Sequence, residues 1–136
     1  MLAEIGDVPS AKEVVAAPRI PLKRFVSKNV CHGVIYDGEM HLRMLPYRFN
    51  NSGLNELIGA MGFYLENKPS GKAFHDPLAA CAAIDSSILK WAEVKIYREK
   101  GEWGSHLTEV NDNSPTTFIS INLDRDKFEQ VLIGNC

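Results

Sequence analysis

Apolar residues recur along this chain in two rhythms, one of three to four residues and one of two. The switches between them divide the sequence into helices and strands. The clearest helical stripe follows Ser52, where Leu54, Leu57, Ile58, Met61 and Leu65 fall on one face. A shorter helix is expected over 37–45, capped by Asp37 and closed by Pro46, and another over 7–17, where Ser10 and Glu13 fit a capping box. Pro18 and Pro21 end the latter, because proline removes a donor and restricts the residue before it. Alternation then predicts strands over 22–27, 91–98 and 118–123, with 106–110 returning as partner to the second across a turn marked by Gly101 and Gly104. Asp124 caps a last helix that turns Phe128, Val131 and Leu132 inward. Helices exchanging with strands across short loops make this a three-layer α/β chain.

One helix stands apart in its chemistry. The run Phe74-His75-Asp76-Pro77-Leu78-Ala79-Ala80-Cys81 predicts a buried helix over 77–84, with Asp76 as its cap and Pro77 in the first turn. Its Leu, Ala and Cys content suits burial on most sides. His75 precedes it, so an imidazole and a carboxylate share one helix mouth beside an apolar core. The loop 68–72, rich in Lys, Ser and Gly, leads straight into that mouth.

Composition narrows the classes. At 136 residues the chain is long enough for one domain with a real core, and 45% hydrophobic with 24% charged residues is ordinary globular usage. A net charge of −2 gives no footprint for nucleic acid or an anionic membrane, and no apolar run approaches the roughly 20 residues that span a bilayer. The N-terminus lacks a secretory pattern, so a cytoplasmic location is expected. Cys31, Cys81 and Cys136 show neither a disulfide framework nor zinc-ligand spacing, and Cys81 reads as a small core residue.

The remaining candidates carry less. If residues 29–32 continue as a strand, Cys31 and His32 point to opposite faces, which leaves His32 a loop or core residue. His41 and His106 have no partner at metal-ligand spacing. Tyr64 suits the core or an interface, and Trp103 suits packing or an oligomer contact, which leaves a homo-oligomer open.

Several segments in order carry a resemblance: Ala3-Glu4-Ile5-Gly6-Asp7-Val8-Pro9, Phe74-His75-Asp76-Pro77-Leu78-Ala79, Glu99-Lys100-Gly101-Glu102-Trp103-Gly104 and Ile119-Ser120-Ile121-Asn122-Leu123-Asp124 with Phe128. From about Ala3 to Ile133 the chain resembles the C-terminal portion of the inosine/uridine-preferring nucleoside hydrolases, which are calcium-dependent N-ribohydrolases. The resemblance implies a single domain over 1–136 equivalent to the C-terminal half of that fold, an open sheet with flanking helices. The aspartate-rich N-terminal half, with most calcium ligands and the general base, has no counterpart here.

Further implications follow from the same resemblance. The substrate is a small ribonucleoside, cleaved at its N-glycosidic bond to ribose and free base. His75 matches the general acid toward the departing base, Asp76 a calcium ligand, and Glu4 a carboxylate that binds the ribose hydroxyls. The asparagine that normally follows two residues after that glutamate is replaced by Gly6. The loop 68–72 corresponds to a flap beside the substrate. With the aspartate cluster missing, a non-catalytic fragment or interaction module derived from this family is the second expectation.

Overall fold

A computed structural model describes residues 22–107 and 116–134. The helix expected over 7–17 and the tip of the strand expected over 106–110 lie outside them. Four strands form the main sheet: β1 (Leu22–Phe25), β4 (Leu89–Glu99), β5 (Glu102–Leu107) and β6 (Thr116–Leu123), in spatial order β1-β6-β4-β5. β1 runs parallel to β6, whereas β4 is antiparallel to both β6 and β5. A separate antiparallel pair joins β2 (Ile35–Tyr36) to β3 (Lys72–Ala73). The architecture is α/β, as the sequence pattern predicts, with the open sheet and flanking helices of the fold that the resemblance implies.

The helices are α1 (Lys28–Cys31), α2 (Gly38–Met44), α3 (Ser52–Asn67), α4 (His75–Ile84) and α5 (Arg125–Leu132). Four of them start where a short polar side chain can accept from a first-turn N–H, Ser27 serving α1 in this way. Asp37 Oδ1 accepts from Met40 N at 2.9 Å, Asn51 Oδ1 from Leu54 N at 2.7 Å, and Asp124 Oδ1 from Lys127 N at 3.1 Å. The stripe on α3 buries Leu54, Ile58 and Met61, with Leu57 and Leu65 packed at its margin. The β4–β5 hairpin turns through Lys100 and Gly101, both at positive φ (51° and 86°), as a two-residue loop between right-twisted strands requires.

Two local expectations are corrected. Residues 28–31 form a helical turn, not a strand. Ser27 caps it, and Ser27 is itself tied to β6, its N–H donating to Ser120 Oγ at 2.8 Å and its hydroxyl to Ser120 O at 2.9 Å. Helix α4 begins at His75, two residues earlier than expected, and Asp76 is not its cap. The reason is Phe74, which is 2% exposed. Its N–H donates to Val34 O at 2.8 Å and its carbonyl accepts from Leu78 N at 3.2 Å, so the anchored aromatic sets the entrance. Pro77 then falls in the first turn, where a missing N–H costs no helical bond.

Burial of α4 is also one-sided. Leu78, Cys81 and Ala82 face the core and pack toward α5, whereas Ala80, Ala83 and Ile84 are exposed. β1 differs from its sequence pattern in the same direction: Leu22 is outward and Lys23 is buried.

Candidate functional site

His75 opens α4 and is half-buried, with its Nε2 atom inside the protein. Its ring stacks on that of His32, centroids 5.0 Å apart and planes 18° from parallel. His32 is the exposed residue that ends α1, its backbone N–H donating to Lys28 O at 2.8 Å. Cys31, beside it, is buried, so the two side chains do diverge, although from a helical turn. Nothing in the local sequence pairs His32 with His75, because separate elements bring them together.

Asp76 is exposed in the first turn of α4, where a negative charge interacts favourably with the helix dipole. Calcium takes roughly six to eight oxygen ligands. Asp76 does not fit that demand by itself, because no group of three or more metal-ligating side chains occurs among the described residues. Glu4 lies outside the described residues.

Behind the mouth is a compact cluster. Tyr36 on β2 is fully buried, and its ring centroid is 4.8 Å from that of Phe74. The Tyr36 hydroxyl and His41 Nδ1 share a hydrogen bond of 2.9 Å, and burial pushes the phenol up to about 12. Two glycines make this packing possible. A Cβ on Gly62 would meet the His41 ring at 3.3 Å, and one on Gly71, at φ +87°, would fall 2.5 Å from Tyr36 O. In the loop before the mouth, Lys68 and Lys72 hold their ammonium groups 5.6 and 5.4 Å from the centre of the Tyr64 ring.

A concavity of about 270 Å³ opens one turn further along α4. Ala79, Ala82 and Ala83 line one side, and Arg24, Val26 and Trp91 the other. The Trp91 indole is fixed by Nε1 donating to Ser86 O at 2.9 Å, and the Arg24 guanidinium lies 5.6 Å from its ring centre. His75 and Asp76 do not line this space. His75 and Asp76 thus both lie in the first turn of α4, and this concavity lies further along the helix.

Comparison with known proteins adds the following. No family model and no curated protein matches the sequence. Among solved structures the chain is similar to a purine-preferring ribonucleoside hydrolase from Gardnerella vaginalis, at TM-score 0.58 and 16% identity, covering 81% of this chain and 38% of that one. It is also similar to a plant nucleoside hydrolase, the PpNRh1 enzyme, at TM-score 0.57 and 18% identity, covering 82% of this chain and 40% of that one. The likeness establishes a nucleoside hydrolase-like fold, and the chain spans about two fifths of the length of these structures. No helix among the described residues is long and apolar enough to cross a membrane.

Proposed function

We propose that this chain is the C-terminal part of a nucleoside N-ribohydrolase acting on purine or pyrimidine ribonucleosides. The observation that carries the reading is His75 at the mouth of α4, in a fold that is similar to two nucleoside hydrolases over four fifths of the chain. In the reaction the C1′–N bond breaks with its electron pair passing to the base, through a cation-like transition state at the sugar. A proton from the His75 imidazolium neutralises the departing base, a general-acid task for which histidine is the side chain most often used. Water adds at C1′ and yields ribose.

Glu4 is proposed to bind the ribose hydroxyls. Activation of the water falls to residues beyond those described. Calcium enters this reading only as an ion for which Asp76 supplies one oxygen and other parts of the polypeptide the rest, and no step is derived through it. A cytoplasmic enzyme of nucleoside breakdown, competent only with the remainder of the fold, is the setting proposed.

The test is ribose release from inosine and uridine by the protein as its gene encodes it, with calcium and after chelation. Release by the wild-type protein that falls about 10²–10⁴-fold in His75→Ala supports the reading. Equal rates in the two proteins overturn the acid role, and absence of release from both nucleosides favours a non-catalytic module.

A further inference from the structure

The pairing of His32 with His75 has no place in the reaction as outlined, yet it is the closest ring contact that the candidate acid makes among the described aromatic pairs. We propose that His32 is a positioning residue for His75: its imidazole, presented by the end of α1, fixes the plane in which the His75 ring is held at the mouth of α4. This deepens the ribohydrolase reading and rests on it.

The argument starts from the two backbones. α1 is capped by Ser27, which is tied to β6 through Ser120, and its Val30 and Cys31 are buried. The backbone before His75 is held by Phe74 N donating to Val34 O, and Val34 is 1% exposed. Neither imidazole can shift by moving its own chain segment without disturbing the core. A flat ring at 5.0 Å and 18° opposes rotation of the His75 side chain out of that plane.

Burial is complementary. His32 is exposed while the His75 Nε2 atom is buried, so the pair spans the boundary between solvent and interior. An acid delivers its proton efficiently only along a defined direction, and small misplacements of a catalytic group are expensive. Holding the ring plane is therefore a function in itself.

A shared metal ion is the competing explanation for two neighbouring imidazoles. Ligand nitrogens converge on an ion through lone pairs that lie in the ring planes. Stacked rings only 18° from parallel direct those lone pairs side by side. Among the described residues no third histidine, cysteine or carboxylate completes a site with them. Stacking is the arrangement that the geometry fits.

The experiment compares His32→Ala, which removes the ring, with His32→Phe, which keeps a flat ring without nitrogens. Both variants change an exposed side chain, and their thermal unfolding is expected to match the wild-type protein. In isotope-labelled protein, His75 ring resonances are expected to shift in His32→Ala and to show loss of one fixed ring orientation, with recovery of that orientation in His32→Phe. In ribose release, His32→Ala is expected to lower kcat with little change in KM, and His32→Phe to restore it.

Unchanged His75 resonances in His32→Ala overturn the proposal, as does a Phe variant as impaired as the Ala variant in a fully folded protein. The resonance measurement needs no turnover. A stack confirmed there while the wild-type protein releases no ribose supports the geometry and counts against the hydrolase reading alone.

Discussion

The two long sides of helix α4 were made from the same kinds of residue and meet different fates. On one side Leu78 is 0% exposed, packed with Cys81 and Ala82 against a core that includes Tyr36, Phe74 and Phe128. On the other, Ile84 is 68% exposed and Ala83 is exposed beside an open concavity with Arg24 and Trp91, which Ala82 also reaches from the margin of the core. β1, the end strand of the sheet among the described residues, pairs in parallel with β6 and borders that concavity through Arg24. Helix α4 thus has one finished, closely packed side and one open side, in a chain that spans about two fifths of the hydrolase structures it is similar to.

The contrast can be broken most directly within α4 itself. Leu78→Ala is expected to cost about 2–5 kcal/mol of unfolding free energy, because it leaves a cavity in a fully packed site. Ile84→Ala on the same helix is expected to stay within about 0.5 kcal/mol. Chemical denaturation of both variants measures the difference, and similar costs would mean that the two sides are equally packed.

Next in size is Gly71→Ala, expected to destabilise by about 1–3 kcal/mol through its positive φ and the approach of its new Cβ to the Tyr36 carbonyl. The same change at Gly59, where a Cβ meets nothing within 4 Å, is expected to be neutral or slightly stabilising.

A smaller effect should appear in alkali. The folded protein holds the Tyr36 proton to about 12, against 10.0 for a free phenol, so it binds this proton more tightly than the unfolded chain does. The corresponding stability is complete below pH 10 and is lost as pH rises toward 12. Tyr36→Phe should remove that part of the alkaline loss, at a cost of roughly 1 kcal/mol near neutrality from the lost bond to His41. Denaturation curves across this pH range, with phenolate absorbance, report both.

Much of the finished side was legible in the sequence because its signals are local. The Asp37 and Asp124 caps, the α3 stripe and the alternation in β4 and β6 each depend on residues within a turn or two of one another. What escaped was decided at a distance. Phe74 moved the start of α4 because its ring packs on Tyr36 and its N–H finds Val34, neither visible from the Asp-Pro motif. The exposure of Ile84 depends on what packs beside it in space, which no local pattern encodes. At the site, the sequence singled out His75 and Asp76, but His32 comes from another element and its turn depends on Ser27 reaching Ser120.

The central claim, that His75 delivers a proton to a departing nucleobase, is tested most directly by changing the leaving group. Ribose release by the wild-type protein and His75→Ala should be measured on inosine and on 4-nitrophenyl riboside, whose phenolate leaves without protonation. The account expects a loss of about 10²–10⁴-fold on inosine and little loss on the activated riboside. An equal loss on both substrates, or none on inosine, would contradict it.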